Sequence, residues 1–263
     1  MLISLNYAIF LLALLLGLDL YRRGNAFRPA ATHLALFASA ALLGGLAHHM
    51  ELEHAIIRNV LATVNDVLPG YFRLSHIRDI FTRLWFLTFI AIGFTEYYFM
   101  RIFLHPVAEH FQLHWIKPTL TASVLLFCTA SLLISEYSLV VTYHVLTHLL
   151  IIGFSLFLII QYRLRIFWIL ISLVTLNLIA GALWSLMALG KIPTGPLHYN
   201  DWYHILLLVF VVYLHQVLTR GGLIQALQQL PQPHSTEMAA EAAAASNAES
   251  PRGRRKRKKR SPQ

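Results

Sequence analysis

The side chains in this sequence able to do chemistry are mostly imidazoles and a few carboxylates set among long apolar runs. The densest group opens residues 197–217, where His198, Asn200, Asp201 and His204 precede ten apolar residues and then His215. Asn200 and His204 are four apart and Asp201 and His204 three apart, so a helix presents all three on one face. Imidazole with carboxylate is the donor set of a zinc site that keeps one position open for water. Such a water attacks a carbonyl at neutral pH, with a neighbouring carboxylate or imidazole moving the proton.

Other histidines add to this group or compete with it. His48 and His49 close an apolar run. Being adjacent, they sit about 100° apart on a helix, so one of them at most faces inward, and His48 is taken as that one. His144 and His148 have the i, i+4 spacing of a ligand pair. Inside an apolar segment that pair reads first as hydrogen-bonding glue between helices. Metal ligation, or an axial haem role shared with His48 and His204, is the alternative. His198 alone reads as an interfacial side chain and His215 as one that snorkels. Glu96 must face protein rather than lipid, and its depth gives it a structural role away from the mouth. The expected metal set is therefore His48, Asp201 and His204, with Asn200 orienting a water or a carbonyl and His49, His144, His148 and His198 as neighbours.

The elements that must position these residues follow from composition. The chain has 263 residues, 57% hydrophobic and only 13% charged, which places it among polytopic membrane proteins. A span needs about 20 predominantly apolar residues, and seven stretches qualify: 2–20, 30–49, 80–102, 118–136, 139–161, 165–189 and 202–219. The expectation is an all-α seven-transmembrane helix bundle over residues 1–221, in the inner (plasma) membrane. The first run lacks a basic start and a small-residue cleavage site, so it reads as a retained span. Arg22, Arg23 and Arg28 follow it and mark a cytoplasmic loop, which puts the N-terminus outside and the C-terminus in the cytoplasm. Arg58, Arg73, Arg78 and Arg83 in the second loop run against that orientation. Within that loop, residues 52–68 carry apolar side chains at helical spacing and read as an interfacial amphipathic helix. Residues 222–263, Ala-rich and then polybasic, read as a disordered cytoplasmic tail.

The same features exclude several classes. Eight of the 21 basic residues fall between Arg252 and Arg260, a run suited to anionic lipid, so membrane lipids rather than nucleic acid are the expected partners. The lone Cys128 supports neither a disulfide framework nor a thiolate cluster. No lysine lies within a span to form a Schiff base. Three functions remain: a metal-dependent hydrolase of lipid amide or ester bonds, a receptor or sensor for a lipid-like ligand, and a haem-binding electron-transfer protein.

The segments Gly44-Gly45-Leu46-Ala47-His48 and Tyr199-Asn200-Asp201-Trp202-Tyr203-His204 resemble a bacterial seven-span family. That family is distantly similar to the superfamily of alkaline ceramidases and adiponectin- and progestin-receptor-like proteins. The resemblance implies seven spans, a zinc ion and amide hydrolysis. In that superfamily a second-span Ser-x-x-x-His and a seventh-span His-x-x-x-His supply three zinc-binding histidines and a helper serine, and an Asp from the third-span region assists. Here His48 and His204 match two of those histidines, while Asn200 stands at the third and Gly44 at the serine. No third-span Asp is in register.

Overall fold

The computed structural model of the chain describes residues 2–52, 59, 62–63, 65–67, 77–134 and 137–228. These residues are helical with short connections, and no strand occurs among them. The helices are α1 (Leu2–Arg22), α2 (Arg28–Leu52), α3 (Ile77–His110), α4 (Ile116–Ile134), α5 (Tyr137–Tyr162), α6 (Phe167–Ala188), α7 (Tyr199–Thr219) and the short α8 (Leu223–Gln228). A 3-10 turn, Asn25–Phe27, joins α1 to α2. Among the described residues seven helices, α1 to α7, are long and apolar enough to cross a membrane. A helix satisfies its own backbone polar groups, which is why a multi-pass chain this apolar takes that form.

Six of the seven spans close a ring. α1 packs on α2, α2 on α3, α3 on α5, α5 on α6, α6 on α7, and α7 returns to α1. α4 stands outside, packed chiefly on α3, and leaves Leu125, Leu126, Leu132 and Leu133 exposed. Small residues set the closest approaches. A Cβ on Gly93 would lie 2.5 Å from Phe127, so that glycine lets α4 seat against α3. A Cβ on Gly45 would lie 3.0 Å from Cβ of Asn6, so Gly45 lets α1 and α2 approach. The nearest atoms to a Cβ on Gly44 are 3.9 Å away, which leaves that role to Gly45 alone.

The span limits agree with the hydropathy reading except in α3, which continues past residue 102 through His105 and Pro106 to His110. α3 stops where Gln112 takes φ 54° and Leu113 donates its N–H to the Ala108 carbonyl at 2.8 Å, a Schellman closure. The expected boundary at residue 221 also moves. Leu223, Ile224 and Leu227 are buried, and α8 packs on α3 and α7, so residues 223–228 belong with the bundle. Only packing shows that these apolar side chains are covered. His215, expected to snorkel, instead pairs with Asp19 of α1 at 2.7 Å, and Asp19 also holds Arg23 at 2.8 Å. Of the expected amphipathic helix 52–68, residues 52, 59, 62–63 and 65–67 are described and helical. The rest of that stretch, and the expected tail from 229 onward, lie outside the described residues.

Candidate functional site

The six-helix ring encloses a cavity of about 820 Å³, with no lining residue from α4. Polar side chains reach it from every ring helix: Asn6 of α1, His48 of α2, Thr88 and Glu96 of α3, His144 of α5, Asn177 of α6, and Asn200 and His204 of α7. The remaining wall is largely apolar and aromatic, including Phe37, Trp85, Phe89, Val140, Leu178 and Leu207. A concave apolar site with a few convergent polar groups, in the range of about 300–1,000 Å³, is the usual form of a small-molecule site.

At the start of α7 the polar atoms are closely engaged. His198 is the N-cap, its Nδ1 accepting the Asn200 N–H at 3.3 Å. It therefore fills a position usually held by Ser, Thr, Asp or Asn. Asn200 Oδ1 accepts the Trp184 Nε1–H of α6 at 2.6 Å, which ties the mouth of α7 to α6. His204 Nδ1 donates to the Asn200 carbonyl, while Nε2 lies 3.1 Å from the Asn6 side-chain amide oxygen. Both ring nitrogens of His204 are thus in contact with protein. Asp201 is buried in the first turn, where the helix dipole favours an acid, but it is not among the cavity-lining residues and its Oδ1 has no hydrogen-bond partner.

His48 and His49 divide as their 100° offset predicts. His48 lines the cavity, edge-on to Trp85 with ring centroids 5.2 Å apart. His49 is not among the lining residues, and its Nδ1 lies 3.3 Å from the Tyr7 hydroxyl.

Deeper in the bundle lies a second group that the sequence reading divided among separate roles. Glu96 Oε1 is 2.7 Å from His144 Nδ1, and Glu96 Oε2 is 3.6 Å from His148 Nδ1. Those three residues offer ligand atoms that all lie within 4.8 Å of one another. Among the described residues this is the one set of three His, Cys, Asp or Glu side chains arranged to hold a metal ion, and it contains none of His48, Asp201 and His204. His148 is fully buried: Nδ1 donates to the His144 carbonyl at 2.8 Å, and Nε2 accepts from Asn177 Nδ2 at 3.0 Å. Glu96 Oε2 and Asn177 Oδ1 are buried and have no hydrogen-bond partner.

The structure therefore brings His48, Asn200 and His204 to one cavity wall, gives His198 a cap and His49 a link to α1, and leaves Asp201 off the cavity. Glu96 was expected to be remote from the mouth because of its depth. It lines the same cavity as His48 and His204, because Trp85, Thr88, Ile92 and Glu96 form a stripe at helical spacing down α3. The signal available in the sequence was one acid in a third span together with a His-x-x-x-His pair in a fifth. What was missing was the contact of α3 with α5.

Comparisons with protein-family models, with curated proteins and with solved structures find no match to this chain. The site is therefore read from its own geometry.

Proposed function

We propose that this multi-pass membrane protein admits an amphiphilic, lipid-class molecule into the cavity between its spans and hydrolyses an amide or ester bond there by metal-dependent chemistry. One observation carries the reading: a single, mostly apolar cavity takes in both the His48–Asn200–His204 wall and the Glu96–His144 pair. An acyl chain matches the aromatic and aliphatic lining, and the polar groups lie where the linkage between chain and headgroup would rest. A metal bound at this cavity would supply a water nucleophile at neutral pH and polarise the carbonyl. Asn200, fixed through Oδ1 by Trp184, keeps its amide N–H as a donor for the substrate carbonyl. His48 and His204 line the cavity with it.

The arginines after α1 set that loop in the cytoplasm. The cavity end that meets the start of α7 then faces the outer side of the inner membrane, and substrate enters from that leaflet. The likeness of the second- and seventh-span motifs to the ceramidase-type superfamily points to the same reaction class. A haem role is less suited to these histidines, because Nε2 of His148 and Nε2 of His204 are already in contact with Asn177 and Asn6.

The test uses detergent-purified full-length protein and fluorogenic long-chain N-acyl and O-acyl amphiphiles. Release of the fluorophore that is abolished by chelator, restored by zinc, and reduced at least about 100-fold in Glu96→Gln is expected if the site works as proposed. Saturable binding of the same amphiphiles with no product would overturn the hydrolase reading in favour of a receptor. That second reading has its own support, since both ring nitrogens of His204 are committed to protein groups.

A further inference from the structure

We infer that the metal of this protein is held in the middle of the bundle by Glu96, His144 and His148, and that Asn177 sets the tautomer of His148 to suit it. Glu plus two histidines is a three-ligand set used by zinc hydrolases, with the fourth position left for water. Here Glu96 and His144 line the cavity and His148 stands behind them. The open position therefore faces the space a substrate would fill.

One feature of the group points to a cation site, and a second fits it. Glu96 is buried and its Oε2 has no hydrogen-bond partner, although that oxygen belongs to a carboxylate placed inside a membrane span. Buried acceptors without partners are costly. The second leftover atom, Asn177 Oδ1, is also a buried acceptor. A cation satisfies the first directly, and the second can serve His148 once its tautomer changes.

The partners of the His148 ring nitrogens show how. His148 Nδ1 faces the His144 carbonyl and so carries the hydrogen, leaving the Nε2 lone pair to accept from Asn177 Nδ2. When Nδ1 gives its lone pair to a metal, the same neutral ring carries its hydrogen on Nε2. Asn177 then turns its amide end for end, and the leftover Oδ1 accepts that Nε2–H. His144 makes the corresponding shift from Nδ1–H to Nε2–H, freeing Nδ1 and Glu96 Oε1 from each other. No proton is gained or lost by either ring. Ligand atoms about 2 Å from a common ion are roughly 3–4 Å apart, so side-chain torsions close the present spacing of up to 4.8 Å. Partners of this outer kind typically change metal affinity about 10–100-fold.

This deepens the hydrolase reading, on which only its catalytic consequence rests; the binding itself is tested without substrate. Full-length protein, purified in detergent and stripped with chelator, is titrated with Co²⁺ and Zn²⁺. Stoichiometry is read by elemental analysis and geometry by the visible absorption of bound Co²⁺. The wild type should take one equivalent with a tetrahedral Co²⁺ spectrum. Glu96→Gln and His144→Ala should lose it, Asn177→Leu should bind about 10–100-fold more weakly, and His48→Ala and His204→Ala should keep it. Each variant is checked for a native elution volume and helical content. His144 is only partly buried, so its variant reports even if Glu96→Gln fails to fold. No bound metal in the wild type overturns the inference, as does metal retained in His144→Ala or lost in the His48 and His204 variants. Metal binding without hydrolysis would leave this site standing and remove the hydrolase reading instead.

Discussion

The mouth of α7 and the middle of α3 and α5 are both histidine sites on one cavity, yet they differ in what their polar atoms still lack. Around His204, hydrogen bonds reach His198, Asn200, Trp184 and the neighbourhood of Asn6. The one leftover acceptor there, Asp201 Oδ1, lies off the cavity. Around His148 the leftover acceptors Glu96 Oε2 and Asn177 Oδ1 belong to cavity-lining residues. The first arrangement resembles a structural clamp holding α1, α6 and α7 together. The second has room for one more positive partner. Residue type alone makes the two regions look alike; the supply of unpaired acceptors separates them.

The comparison breaks most directly at Glu96. Replacing it by Ala removes the acceptor of the 2.7 Å hydrogen bond from His144 and should cost about 3 kcal/mol, the upper end for a hydrogen bond to a charged group. Thermal unfolding in detergent measures this, and Glu96→Gln, which keeps a hydrogen-bond acceptor, should cost clearly less. Equal losses for Ala and Gln would mean that the carboxylate charge, absent from both, carries the effect and that a neutral acceptor beside His144 contributes nothing.

Gly45→Ala comes next. Its Cβ would crowd Asn6 and Tyr7 and should cost about 1–3 kcal/mol by overpacking. Gly44→Ala, with 3.9 Å to its nearest neighbours, should be tolerated. Stability and amphiphile binding measured on the pair show whether α1 must approach α2 to place Asn6 beside His204. If the two alanine variants behaved alike, the clamp would not depend on that approach.

Trp184→Phe removes the donor to Asn200 Oδ1 and should cost about 1 kcal/mol, the scale of an interhelical hydrogen bond in a membrane. It should slow amphiphile turnover while leaving Co²⁺ stoichiometry at the inner group unchanged. Loss of both would show that the two regions act as one.

The smallest effect is expected for His198→Ala, the loss of a helix cap. About 0.5–1 kcal/mol of stability should go, with metal stoichiometry unchanged. A His198 variant that lost metal would return that residue to the ligand set and undo the division drawn here.

Much of the architecture was legible because it depends on local properties. Length and apolarity mark each span without reference to any other, and the seven spans follow from them. Helical geometry likewise put Asn200 and His204 on one face and turned His48 and His49 apart. The cap role of His198 was less visible, since imidazole is not the usual side chain at that position. Glu96 was misjudged because depth along one helix was used to infer distance from a group on another.

What the sequence determined by itself is thus, among the described residues, the seven helices long and apolar enough to cross a membrane and the residues that share a face within each. Periodicity and transfer free energy act over a few turns, so they can be read one segment at a time. Tertiary structure decided the order of the ring, the position of α4 outside it, and the meeting of Glu96 with a histidine 48 residues away. Those outcomes rest on which apolar faces and glycines fit one another across the bundle, and no single segment carries that information.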